Sequence, residues 1–233
     1  MEHSEPQRSD EPLEAVLFDM DGVLVDSFEA WVQVVEACRA RRGLPPLGIE
    51  TIRESWGQGI QADCETFFVG SEPAALAREY NAEFPRHLGR IRQMDGALDA
   101  VRIVRAAGLR TAVVTNTPAE LARRILNTAG FDGLFDAFAG GDEVPRGKPD
   151  PALLRLAAQR LGTAPSRTVL VGDTPIDIGA ARAAGVKSIG YRLDGGDTRI
   201  ERLAELPPIC LEWRARKDSN LRPSAPEADA LSS

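Results

Sequence analysis

Two aspartates two residues apart, in the run Phe18-Asp19-Met20-Asp21-Gly22, are a pairing that could do chemistry. One carboxylate held at the end of a strand can attack, while its neighbour, swung round by a glycine turn, can give or take a proton. Such a pair suits the two sides of a reacting phosphorus, although the same run would also serve as a plain Asp-rich turn. Three further clusters bear on that choice. Thr115-Asn116 offers a hydroxyl and main-chain N–H groups able to grip phosphate oxygens. Lys148, in Gly147-Lys148-Pro149-Asp150, supplies a point positive charge. Asp173 and Asp177, in Gly172-Asp173-Thr174-Pro175-Ile176-Asp177, add two carboxylates, and Asp19 with Asp173 would make a hard oxygen site for Mg²⁺.

The elements that must position these groups are legible around them. Ala15-Val16-Leu17-Phe18 is apolar throughout and reads as a buried parallel strand ending at Asp19. Strands are also predicted at 111–114, 135–139, 168–171 and 186–189, alternating with helices over 97–107, 118–129, 151–161 and 175–184. This rhythm predicts an α/β fold with a parallel sheet covered on both faces. Thr117-Pro118, Asp150-Pro151 and Thr174-Pro175 read as helix starts, and Thr117 with Glu120 fits a capping box. Each polar cluster therefore falls at the carboxyl edge of the sheet, where ligands gather in such folds.

In order and spacing, these four segments resemble the four motifs of the haloacid dehalogenase superfamily, over roughly residues 14–206. Asp19-x-Asp21-Gly22-x-Leu24-x-Asp26-Ser27 is similar to the first motif of its phosphoglycolate phosphatase-like and β-phosphoglucomutase-like branch. The resemblance implies a Rossmann-like parallel sheet core with an inserted α-helical cap. It also implies a Mg²⁺-dependent phosphatase acting through an aspartyl-phosphate. Asp19 would be the nucleophile and Asp21 the general acid/base, with Thr115, Asn116 and Lys148 holding the phosphoryl group. Asp19, Asp21 and Asp173 would hold the metal, and Asp177 would support the site by orienting Lys148. The family's dehalogenases lack an aspartate at the place of Asp21, so its presence points to an oxygen leaving group. A phosphomutase sharing the same intermediate is the nearest rival, and a non-catalytic phospholigand-binding protein a more distant one.

The division that follows is a core of residues 13–27 and 95–206, with a helical cap over 28–94. Trp31, Val34, Val35 and Cys38 line one face of the cap's first helix, and 47–94 shows helical patterns without a strand. Trp56-Gly57-Gln58-Gly59-Ile60-Gln61 is the expected specificity loop, while Arg53, Arg86 and His87 are expected to stay clear of the chemistry. Residues 1–12 and 211–233 read as disordered tails. Asp218-Ser219-Asn220 can be encoded by GATTCGAAC, the reverse complement of a T-arm-like stretch, so the latter tail is expected to be antisense translation of a tRNA gene.

Across all 233 residues, 43% are hydrophobic and 27% charged, which is the balance of a globular protein, and the net charge of −7 leaves no basic footprint for nucleic acid. Cys38, Cys64 and Cys210 form no paired motif. With neither a signal-like start nor a bilayer-length apolar run, a cytoplasmic protein acting on a small phosphorylated metabolite is expected.

Overall fold

A computed structural model describes residues 11–215. The apolar run Ala15–Phe18 forms β1, buried along its whole length. It lies at the centre of a six-stranded sheet in the order β5-β4-β1-β6-β7-β8. These strands are β4 (Arg110–Val114), β5 (Ala137–Ala139), β6 (Thr168–Gly172), β7 (Lys187–Tyr191) and β8 (Thr198–Ile200). Every pairing in the sheet is parallel, so all six strands end at one edge.

Alternation along β1 explains why both faces need helices. Val16 and Phe18 join one apolar cluster, which also takes in Val101 and Val104 of α5 (Ala97–Ala106) and Ile125 of α6 (Ala119–Thr128). Ala15 and Leu17 face the other way, onto Leu153 and Leu154 of α7 (Ala152–Leu161) and Ala180 and Ala181 of α8 (Pro175–Ala184). Such doubly covered strands have no polar face to show to water, hence the unbroken apolar runs.

Between β1 and α5 the chain leaves the sheet to form a helical insert. It comprises α1 (Phe28–Arg41), α2 (Ile49–Glu54), α3 (Ile60–Thr66), α4 (Pro73–Glu83) and a 3₁₀ turn over Phe84–Arg90. It departs and returns through two short antiparallel strands, β2 (Val25–Asp26) and β3 (Arg92–Gln93), paired Val25 to Gln93 and Asp26 to Arg92. The strand in 92–93 was not expected from the sequence, because a two-residue pairing carries no periodicity of its own.

Two further differences are physical. β8 is three residues long and half exposed, too brief to read as a strand beforehand. The expected tail starts later than 211, since residues 211–215 complete α9 (Leu206–Ala215). Cys210 and Trp213 of this helix are buried in the same cluster as α5, and Leu13 N–H donates to the Trp213 carbonyl at 3.2 Å. The remainder of that expectation lies outside the described residues, as does that for residues 1–10. All three cysteines are buried and free. Among the described residues, no helix is long and apolar enough to cross a membrane.

Candidate active site

Each chemistry-bearing residue sits just beyond a strand: Asp19 after β1, Thr115 after β4, Asp173 after β6, and Lys148 in the loop that follows β5. The buried ammonium of Lys148 is the hub. It donates to Asp19 Oδ1 at 2.5 Å, Asp177 Oδ1 at 2.7 Å and the Val114 carbonyl at 3.1 Å, which uses all three of its protons. Asp177 is anchored in turn, because its Oδ2 accepts from the Thr174 N–H at 3.1 Å and hydroxyl at 2.6 Å. Thr174 thus caps α8 and holds the aspartate that holds the lysine.

The expected capping box at Thr117 does not form. Asp142 Oδ1 accepts the Ala119 N–H at the start of α6, at 2.8 Å. Released from that task, the Thr117 hydroxyl donates to Asp21 Oδ2 at 3.0 Å. Asp21 Oδ1 accepts from the Ser27 hydroxyl and from Trp31 Nε1. Three donors, two from the start of α1 and one from the turn before α6, therefore fix the aspartate read as the proton-transfer group, and Ser27, Trp31 and Thr117 were not foreseen in that work. Ser27 stood in the same motif as Asp21 without a stated role, and Thr117 carried the signal of a helix cap, which uses the same hydroxyl.

Electrostatics at this edge are those of crowded acids. Burial raises the Asp19 pKa well above the carboxylate range; Lys148 opposes this, while Asp177, Asp173 and Asp21 add to it. Burial also lifts Asp21, against the pull of the Ser27, Thr117 and Trp31 hydrogen bonds. Asp173 is pushed up to about 7, by burial first and then by Asp177. Burial works against the Lys148 charge, but Asp177 and Asp19 outweigh it and raise its pKa. Acids lifted in this way call for a cation between them.

The site fits one. Ligand oxygens of Asp19, Asp173 and Asp177 lie within 4.8 Å of one another, and Asp173 Oδ1 is buried without a hydrogen-bond partner. Because both Asp177 oxygens are engaged, the carboxylates left for a metal are Asp19 and Asp173. The Asp21 carboxylate, expected among the ligands, already accepts from Ser27, Trp31 and Thr117. Gly22, at φ +89°, makes room here: a Cβ on it would stand 2.1 Å from Asp173 Oδ2.

Asn116 is engaged rather than open. Its Nδ2 donates to the carbonyls of Lys148 at 3.0 Å and Gly57 at 2.8 Å, and its Oδ1 accepts the Lys148 N–H at 2.7 Å. Its amide thus joins the lysine loop to the helical insert, which leaves its main-chain N–H as the group it can offer a phosphate. Gly57, at φ +84°, lets the insert come this near, since a Cβ there would lie 3.2 Å from Thr174.

Insert and sheet edge together enclose one pocket. Asp19, Asp21, Thr115, Asn116 and Lys148 line its floor. Its roof includes Trp56, Gly57, Gln58 and Ile60 of the expected loop, and also Trp31, Asp63 and Tyr80, which were not foreseen. Asp63 Oδ1 accepts from Gln58 Nε2 at 2.6 Å and its Oδ2 from the Tyr80 hydroxyl at 2.9 Å. Arg53 and Arg86 stay on the surface as expected, with side chains 57% and 70% exposed.

Comparison with known proteins agrees with this geometry. A family model described as haloacid dehalogenase-like hydrolase matches residues 13–185. Phosphoglycolate phosphatase of Xanthomonas campestris pv. campestris is 36% identical over 205 residues, covering 83% of this chain and 93% of that one. N-acetylmuramic acid 6-phosphate phosphatase of Pseudomonas aeruginosa is 35% identical over 185 residues, covering 77% and 82%. The crystal structure of CbbY from Rhodobacter sphaeroides, in complex with phosphate, has a TM-score of 0.75 at 25% identity and covers 83% of this chain and 96% of that one.

Proposed function

The chain belongs to the haloacid dehalogenase-like hydrolase family, and on that premise we propose that it hydrolyses a small phosphate monoester, with Mg²⁺, through a phosphorylated Asp19. Its relatives are phosphatases, and this chain is a phosphoric monoester hydrolase like them. One observation carries the reading furthest: buried Asp19 accepts from Lys148 and has near it the Asp173 carboxylate, whose Oδ1 is buried without a hydrogen-bond partner.

In the first half-reaction an Asp19 oxygen attacks phosphorus, the bond to the leaving oxygen breaks, and Asp21 delivers its proton to that oxygen. An alcohol departs and Asp19 carries the phosphoryl group. In the second, Asp21 takes a proton from water as the water oxygen attacks the same phosphorus; inorganic phosphate leaves and both aspartates return to their starting states. Thr115 holds the phosphoryl oxygens, and the Lys148 ammonium beside Asp19 counters their charge, exchanging one of its present acceptors for a phosphoryl oxygen when substrate binds. Bound at Asp19 and Asp173, Mg²⁺ would supply the positive charge that lets a dianion approach two carboxylates.

Burial raises the Asp21 pKa, which favours the protonated carboxyl that the first role needs. The helical insert acts as a cap that excludes water, and the setting is the cytoplasm, where phosphorylated metabolites are found. Phosphoglycolate, a sugar phosphate and a nucleotide are the substrate classes in view, the first favoured by the likeness to phosphoglycolate phosphatases.

Purified protein is expected to release phosphate from p-nitrophenyl phosphate only with a divalent cation, and Asp19→Asn to abolish the release while folding normally. Steady-state turnover by Asp19→Asn would refute the nucleophile. Isomerisation of a sugar phosphate without phosphate release would replace the phosphatase with a mutase.

A further inference from the structure

The roof of the pocket differs from its floor in what it can bind. Three acids line the pocket, Asp19, Asp21 and Asp63, and among the described residues Lys148 is the one cationic side chain on its wall. That cation is fully engaged at the floor, with its three protons on Asp19, Asp177 and the Val114 carbonyl. Two arginines lie behind the roof but do not face into it. Arg39 donates to the carbonyls of Pro45 and Phe67, and the Arg53 guanidinium stacks on the Phe28 ring, 4.2 Å from its centroid.

What the roof does present is aromatic and hydrogen-bonding. Trp31, Trp56 and Tyr80 supply ring surface, Ser55 a hydroxyl, and Gln58 an amide. Asp63, 9% exposed, holds Gln58 and Tyr80 by one carboxylate oxygen each, and each oxygen keeps a further lone pair. Ring faces take the C–H face of a hydroxylated carbon skeleton, and a carboxylate takes its O–H groups. A second carboxylate brought here would meet Asp63 in a poorly hydrated space with no cation to pair with. Specificity of this kind comes as much from repulsion as from attraction.

We infer that Asp63 is a specificity residue which selects substrates with a neutral, hydroxylated leaving group, a phosphorylated sugar or polyol, and turns away leaving groups that carry a carboxylate. The inference rests on the phosphatase reading above, and it disfavours phosphoglycolate among the classes named there.

A matched pair tests it. 2-Hydroxyethyl phosphate and phosphoglycolate differ in a terminal CH₂OH against a carboxylate, and p-nitrophenyl phosphate reports the chemistry independently of both. With Mg²⁺, the protein is expected to favour 2-hydroxyethyl phosphate over phosphoglycolate by about tenfold or more in kcat/KM, and a hexose 6-phosphate over both. Asp63→Asn should shrink the first ratio several-fold, whereas a merely structural aspartate would lower both substrates together and leave the ratio unmoved. A preference for phosphoglycolate in the unaltered protein overturns the inference without need of the variant, as does an unchanged ratio in Asp63→Asn. Either result, with p-nitrophenyl phosphate still hydrolysed, leaves the phosphatase standing; failure to hydrolyse that ester with any divalent cation removes both.

Discussion

The floor and the roof of the pocket solve different problems with different materials. At and beneath the floor, Asp19, Asp177 and Lys148 are buried with Asp173 beside them, the aspartates placed by strand ends or a helix first turn and the lysine by the loop after β5. In the roof, aromatic rings and one aspartate are placed by packing between α1, α3 and α4. Charges that cannot relax suit a reaction whose phosphoryl group is the same in every substrate. Rings and a hydroxyl-binding acid suit the part that varies. Reactivity and selectivity are thus separable here, and substitutions should separate them.

The largest expected effect is on the floor, where Asp19→Asn should lower kcat by at least about 10³-fold with the melting temperature little changed. Lys148→Met should cost about 3–5 kcal/mol of stability as well as activity, because it strands two buried carboxylates. Adding Asp177→Asn to it should recover part of that loss in a denaturant titration, and no recovery would mean the lysine is not the counter-charge.

For the roof, the test is pH. Burial raises Asp63 from 3.8 to about 6, so the folded protein holds this proton more tightly than the unfolded chain. The stability linked to Asp63 is therefore greatest below pH 4 and falls as pH rises to about 6. By then up to about 3 kcal/mol has gone, and beyond it the contribution is flat. Asp63→Asn should flatten that segment of the stability profile, and an unaltered slope would assign it to other acids.

The smallest effect belongs to the join. Asn116→Ala removes the tie from Gly57 to the lysine loop, and should cost about 1–2 kcal/mol while raising KM more than it lowers kcat. Equal changes on floor and roof substrates would be the signature of a shared joint.

The floor was legible because strand and helix chemistry writes it locally. An apolar run closed by Asp19, or a Thr174-Pro175 start with Asp177 three residues on, means nearly the same thing in any parallel sheet. Thr117 shows where this fails: its pattern with Glu120 satisfies the rule for a cap, yet Asp142 reached the helix end and left the hydroxyl to Asp21. Asp63 and Tyr80 carried no warning at all, being 17 residues apart on separate helices and joined only when α3 packs on α4. α9 was missed through Trp213-Arg-Ala-Arg, which reads as polar until Cys210 and Trp213 are seen facing α5.

The paired strands β2 and β3 put both passages of the chain between sheet and insert side by side. A body tied along one seam has one easy way to swing, much as a door does. The Asn116–Gly57 contact then serves as the catch away from that seam. The same amide that fastens the insert also fastens the lysine loop, so one side chain ties the position of the insert to that of the loop.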